Sequence, residues 1–174
     1  HFQMALLLMQ HGSDPNIKDG EGCSGLHLAA QFGHTSIVAY FVAKKCHIND
    51  TDINGMTALM WSCFRATSGL DPTRMLLTLG AITSMRDSQH GNTPLHWAAI
   101  HGYLDICKYI MEKLDNEHPK NANGKSPIHF AAQYGHLEVY KLLVENIEDK
   151  NHGDNDGITP LHMAAKYGHL EVYR

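Results

Sequence analysis

The sequence predicts an all-α solenoid, a tandem stack of helix-turn-helix units with projecting β-hairpin-like turns. Three observations predict it. A four-residue register recurs at Ser24-Gly25-Leu26-His27, Thr57-Ala58-Leu59-Met60, Thr93-Pro94-Leu95-His96, Ser126-Pro127-Ile128-His129 and Thr159-Pro160-Leu161-His162. The intervals from Leu26 to Leu59, Leu95 to Ile128 and Ile128 to Leu161 are each 33 residues, and that from Leu59 to Leu95 is 36. Most registers lead into a pair of small residues and a glycine, then a second apolar stretch, then an Asp/Asn/Gly-rich connection.

Each element has a physical reason. Thr93, Ser126 and Thr159 cap a helix, and Pro94, Pro127 and Pro160 follow at the first helical position, where a missing N–H costs nothing. The first helix is short and Ala-rich (Ala29-Ala30, Ala98-Ala99, Ala131-Ala132, Ala164-Ala165), so neighbours approach closely, and Gly33, Gly102, Gly135 or Gly168 ends it. A second helix follows, as at 137–145, where Leu137, Val139, Leu142 and Leu143 bury one face. The connection Gly153-Asp154-Asn155-Asp156-Gly157 reads as a hairpin-like turn. No unit buries its own apolar face, so stacking is required, and a concave groove is the expected result.

Two departures stand out. The third unit carries extra residues, expected as a bulged inter-helix loop over 66–72 and one more residue near Ser88-Gln89-His90. Where Gly12 and Gly80 supply a left-handed cap to the second helix, other units carry Lys45, Leu114 and Ile147, which are expected to cap differently.

Composition narrows the function. Among 174 residues, 14 Lys+Arg stand against 18 Asp+Glu, a net charge of −4 that offers no bulk attraction to nucleic acid or anionic lipid. Hydrophobic residues at 43% suffice for a packed core. The longest apolar run, Ile37 to Ala43, is far short of the roughly 20 residues that cross a bilayer. Cys23, Cys46, Cys63 and Cys107 form no CxxC pair and read as free thiols of a reducing compartment, hence a cytoplasmic location. Starting at His1 and stopping at Arg174 within a periodic segment, the sequence reads as cut at both ends.

The runs TPLHWAA (93–99) and TPLHMAA (159–165), in phase with the 33-residue period, resemble the ankyrin repeat over essentially the whole chain. The expected units are a partial one at 1–19, then 20–52, 53–87, 88–120 and 121–153, and a truncated one at 154–174.

Catalytic and metal chemistry find little support. His27, His96, His129 and His162 occupy the motif's own histidine, and His34, His136 and His169 its Gly-His turn. Their spacing of one repeat favours a hydrogen-bonded ladder over a tetrahedral metal shell. The run 152–157 imitates a calcium loop, but its twelfth position is Met163, where a bidentate Glu is needed. Cys63 replaces the second small residue of the pair and reads as core, while Cys23 has no obvious base in its own unit. No catalytic residue, cofactor or metal is expected.

What remains is surface. In ankyrin arrays the fingertip residues and the two positions before the Gly-His turn line the groove. The resemblance carries this onto Glu21, Gln31, Phe32, Asn54, Met56, Gln89, Ile100, His101, Asn123, Gln133, Tyr134, Lys166 and Tyr167. Trp61 and Trp97, just after the motif histidine position, read either as structural indoles or as the groove's base. The expected function is a non-catalytic module binding protein or peptide partners, monomeric, without nucleic-acid binding or membrane insertion. A spacer without a partner is the bland alternative.

A narrower resemblance covers residues 12–80. The stretches DGEGCSGLHLAAQFGHTSIVAYFVAK (19–44), NGMTALMW (54–61) and DPTRMLLTLG (71–80), with the inserted loop before Asp71, resemble the ankyrin domain of huntingtin-interacting DHHC-type palmitoyltransferases. The resemblance implies a cytosolic arm that recruits acylation substrates through short peptides. In that family the catalytic Cys-rich segment lies far downstream among membrane helices, and neither is in this sequence.

Overall fold

The structure, a computed structural model, describes residues 2–65, 71–114 and 118–169. Ten helices lie among them, with no strand longer than the isolated antiparallel bridges Lys18–Ser24 and Thr51–Thr57 that close two hairpin-like turns. The chain forms two compact units, His1–Ile82 and Thr83–Arg174. The bulge expected at 66–72 falls mostly on residues 66–70, outside the described ones.

Unit 1 contains α1 (Phe2–Gln10), α2 (Gly25–Gln31), α3 (Thr35–Ala43), α4 (Ala58–Phe64) and α5 (Asp71–Thr78). First helices pack side by side, α2 on α4, and each turns back onto its own second helix, α2 on α3 and α4 on α5. Leu26, Ala29, Ala30, Val38, Ala58, Leu59 and Leu76 form the core, with Ile37, Phe41 and Met75 packed against it. The alanines at the α2–α4 seam are why these helices approach closely; a larger side chain there would push them apart.

Unit 2 contains α6 (Pro94–His101), α7 (Leu104–Met111), α8 (Pro127–Tyr134), α9 (Leu137–Val144) and α10 (Pro160–Tyr167). The pattern repeats: α6, α8 and α10 pack in sequence, with α7 and α9 behind α6 and α8. Leu95, Ile110, Ile128 and Leu143 are fully buried between the layers, and Ala98, Ala99, Ala131 and Ala132 line the seam between first helices.

The helix boundaries follow the sequence. Pro94, Pro127 and Pro160 each open a helix behind an extended N-cap residue, Thr93, Ser126 and Thr159. Gly102, Gly135 and Gly168 end these helices at φ 73°, 70° and 77°, a left-handed conformation that favours glycine. Glycine is needed twice over at the first two. A Cβ on Gly102 would lie 2.6 Å from His136 Nδ1, and one on Gly135 would lie 2.5 Å from His169 Nδ1. Each imidazole rests on the glycine of the preceding helix pair and donates through Nε2 to a carbonyl there: His136 to Ile100 at 2.9 Å, His169 to Gln133 at 3.0 Å.

The expected capping of the second helices needs one correction. Lys45 does not cap differently: it takes the left-handed turn itself at φ 66°. Its N–H reaches Val42 O at 2.9 Å and the Cys46 N–H reaches Phe41 O at 3.1 Å, the bonds a glycine cap would make. Burial of Cys46 and Val38 in the same core holds the chain in this turn against the cost of a Cβ. The ends of α7 and α9 do differ, since neither Leu114 nor Ile147 takes a positive φ.

Candidate partner-binding surface

The hairpin tips are shaped by one acidic or amide side chain each. Asp52 Oδ1 accepts the N–H groups of Asn54 and Met56, both at 2.9 Å. Asp19 does the same for Glu21 and Cys23, Asn121 for Asn123 and Lys125, and Asp154 for Asp156 and Ile158. At Asp87 the bonded N–H groups are those three and four residues on, His90 and Gly91, and the closing backbone bond, from Asp87 N to Asn92 O, spans five residues where the other tips span four. This is where the extra residue near Ser88-Gln89-His90 is absorbed.

Adjacent tips inside a unit are joined by backbone bonds: Ile53 N to Glu21 O at 3.1 Å in unit 1, Ala122 N to His90 O at 2.9 Å and Asn155 N to Asn123 O at 3.0 Å in unit 2. Behind them the motif histidines clamp tip to helix. His27, His96 and His129 each accept the N-cap residue's N–H at Nδ1, at 3.1, 3.1 and 3.2 Å. The Nδ1 acceptor role assigns the proton to Nε2, which donates to Asp50, Lys125 and Ile158 carbonyls, each at 3.0 Å. Both ring nitrogens are therefore engaged in protein hydrogen bonds and unavailable to a metal. Burial holds the His96 and His129 imidazoles neutral, pulled down to about 4, with the neighbouring His152 a second cause at His129. Burial also lowers His27.

The cysteines are chemically quiet. Burial pushes the Cys63 thiol up to about 12, and burial together with Asp52 pushes Cys23 up to about 11. A thiol that far above neutrality is protonated and a poor nucleophile.

The surface residues named from the sequence divide by exposure. Glu21, Phe32, Gln89, Asn123, Tyr134, Lys166 and Tyr167 are exposed, while Gln31, Asn54, Trp61, Trp97, Ile100, His101 and Gln133 are half-buried. Met56 is a correction: at 5% exposure it packs inside and presents no surface, because the Asx turn that binds its N–H folds its side chain inward. Phe32, Tyr134 and Tyr167 share one register and are each 47% exposed. Arg65 sits 5.6 Å from the Phe32 ring and Lys166 the same distance from the Tyr167 ring, so two of these aromatic faces carry a cation. The Trp61 N–H donates to Asp52 Oδ2 at 3.0 Å, and its ring stands edge-on to Phe64.

The sequence reading did not foresee two features of this surface. The motif histidine completes a capping box, in the place usually taken by Glu or Gln; the S/T-x-x-H spacing was visible, but imidazole is not the expected partner. His152 meets Ser126 Oγ at 2.7 Å and lies edge-on to His129, a contact with no counterpart in the repeat pattern.

Short helix pairs turned at glycine, clamped by buried neutral imidazoles and fronted by hairpin tips, define a stacked helical-repeat protein without a reactive centre among the described residues. The ankyrin-repeat family model matches three times, over residues 1–87, 26–121 and 112–174, and the chain belongs to that family. It is similar to palmitoyltransferase ZDHHC13 of Mus musculus, 41% identical over 122 residues, which is 70% of this chain and 20% of that protein. It is also similar to palmitoyltransferase ZDHHC17 of Rattus norvegicus, 43% identical over 122 residues, 70% of this chain and 20% of that protein. Palmitoyltransferase Hip14 of Drosophila melanogaster is 45% identical over 100 residues, 58% of this chain and 16% of that protein. The chain spans about one fifth of the length of such relatives. Among the described residues no helix is long and apolar enough to cross a membrane.

Proposed function

We propose that the chain is a protein-interaction module that acts as a monomer, binds short peptide segments of partner proteins and performs no chemistry itself. The carrying observation is the register of Phe32, Tyr134 and Tyr167. These three rings stand half open on a scaffold that buries Leu26, Leu59, Leu95 and Ile128 of the first helices to 1% exposure or less. Rigid aromatic side chains give contact area at small entropic cost and dominate binding hot spots. Within unit 2, Gln133 and Asn123 offer hydrogen-bonding groups for an extended peptide backbone, as Gln31 does within unit 1, and the half-buried Trp97 is read as the base of the groove.

The test is calorimetry with a peptide selected from a displayed library against the intact chain. Trp97→Ala, and Tyr134→Ala with Tyr167→Ala, are expected to weaken binding by more than ~1 kcal/mol each while helical circular dichroism is unchanged. Unchanged affinity in all three variants rules out this surface.

A second reading rests on identities of 41% and 43% to named palmitoyltransferases. In it the module is the cytosolic recruiting arm of a palmitoyltransferase, delivering substrates to a catalytic segment that these residues do not contain. Deleting residues 1–174 from the parent polypeptide is expected to abolish acylation of recruited substrates and to spare acylation of the enzyme itself. Equal loss of both points to a structural role instead, and a parent without a DHHC segment excludes the reading.

A further inference from the structure

The aromatic surface of unit 2 differs in charge from the chain as a whole, whose net charge is −4. First helices α6, α8 and α10 contain no Asp or Glu, and their one Lys or Arg is Lys166. The helical carboxylates sit behind, Asp105 on α7 and Glu138 on α9, and Glu138 meets Lys141 there at 3.0 Å. The tip carboxylates of the unit are Asp87 and Asp154, each turned back onto its own N–H groups, and Asp156, exposed at the register of Asn123.

Two ammonium groups stand on the front of this surface. Lys125, the residue before the N-cap Ser126, holds its Nζ 6.0 Å from the centre of the Phe130 ring, and Lys166 holds its own 5.6 Å from that of Tyr167. Among the described residues neither has a carboxylate within ion-pair distance, in contrast to Lys141. A ring face replaces part of a lysine's hydration without cancelling its charge, so each ammonium is held in place and still lacks an anion. Unit 1 repeats the pairing with other residues. There Arg65 lies 5.6 Å from the Phe32 ring, and α2 and α4 also carry no Asp or Glu.

We infer that the peptides bound by unit 2 are acidic: an apolar or aromatic side chain lies on Tyr134, and neighbouring Asp or Glu carboxylates accept from Nζ of Lys125 and Lys166. This rests on the reading of the surface as a peptide site. Charge complementarity selects the occupant. A basic segment would bring cations onto two ammonium groups with no carboxylate on the helices between them. Nucleic acid or an anionic bilayer would find two cations on a chain of net charge −4, too few for a polyanion. Asp156 sets the direction, since acidic residues are repelled at that tip and accepted beside Lys125.

The experiment selects binders to the intact chain from a displayed library of random short peptides and measures them by fluorescence anisotropy. The binders are expected to be richer in Asp and Glu than in Lys and Arg. Changing the acidic residues of a binder to Asn or Gln should weaken it about tenfold, as should Lys125→Met with Lys166→Met in the chain. Combined, the two changes should cost little more than either, because both remove the same contacts. Lys125→Arg should keep the affinity. Binders without acidic enrichment that still lose affinity in Tyr134→Ala overturn this inference and leave the peptide-binding reading standing, as do fully additive losses. An absence of binders, or binders indifferent to Tyr134→Ala, Tyr167→Ala and Trp97→Ala, defeats that reading and the inference together. A phosphoserine peptide bound more than about tenfold tighter than its Glu counterpart, or capture of single-stranded DNA with equal affinity, makes phosphate the ligand and overturns the inference too.

Discussion

Units 1 and 2 build the same arrangement of helices with different bonds. In unit 2 every first helix opens on proline, ends on a left-handed glycine and carries a histidine bonded to its N-cap residue. In unit 1 the second of these histidines is replaced by Met60, and the helix is capped by Thr57 Oγ accepting the Met60 N–H at 3.2 Å. Other bonds are added nearby: Trp61 to Asp52, and a buried pair between Ser62 and Thr73 hydroxyls at 2.9 Å. Lys45 stands in unit 1 at a left-handed turn where glycine would be unstrained. Motif residues are therefore one solution among several to the same demand: each helix end and each hairpin must satisfy its backbone groups without widening the seam between first helices.

Acid is expected to separate the two units most strongly. His96 and His129 of unit 2 are held near 4, below the ordinary value of about 6.5. The unfolded chain binds more protons than the folded one between those values. Stability is thus complete above pH 6.5 and falls as pH drops toward 4, by about 1.4 kcal/mol per pH unit for each fully desolvated histidine. In unit 1 burial lowers the motif histidine His27, and the next motif position is Met60, which cannot titrate. Urea unfolding at pH 7, 5.5 and 4.5, followed by amide signals in each unit, should show the steeper loss in unit 2. Parallel losses would break the comparison.

Glycine substitution comes next. Gly135→Ala drives a Cβ to 2.5 Å from His169 Nδ1 at φ 70°, and is expected to cost about 3 kcal/mol or more by displacing the ring and its bond to Gln133. Gly168→Ala meets nothing within 4 Å among the described residues, so its left-handed backbone carries the expected strain, about 1 kcal/mol. Thermal unfolding of the two variants measures the packing contribution as their difference. The smallest effect is a gain: Lys45→Gly should stabilise unit 1 by about 0.5–1 kcal/mol by relieving the positive φ, read as a higher denaturation midpoint at unchanged slope.

Much of this was legible in the sequence, and the reason is local. Pro94, Gly102 and the alanine pairs act within one turn of helix, so their spacing translates directly into boundaries and seams. The rows of Phe32, Tyr134 and Tyr167 were legible too, because the repeat register leaves their positions unclaimed. What the sequence concealed depends on neighbours brought in by folding. Met56 looked like a fingertip residue until the Asp52 turn drew it inward, and the bond from the Trp61 N–H to Asp52 depends on a residue nine positions away. Lys45 violates the local rule because the surrounding core decides its backbone.

The tip-to-tip bonds, Ala122 to His90 and Asn155 to Asn123 in unit 2, each tie one hairpin only to the next. A tether of this kind has no long-range crosslink, so tension applied along unit 2 is borne in series, each clasp giving way separately. Under load such a segment is expected to lengthen in small steps, one clasp at a time. A cargo gripped by several hairpins at once would bridge those clasps and stiffen the spring.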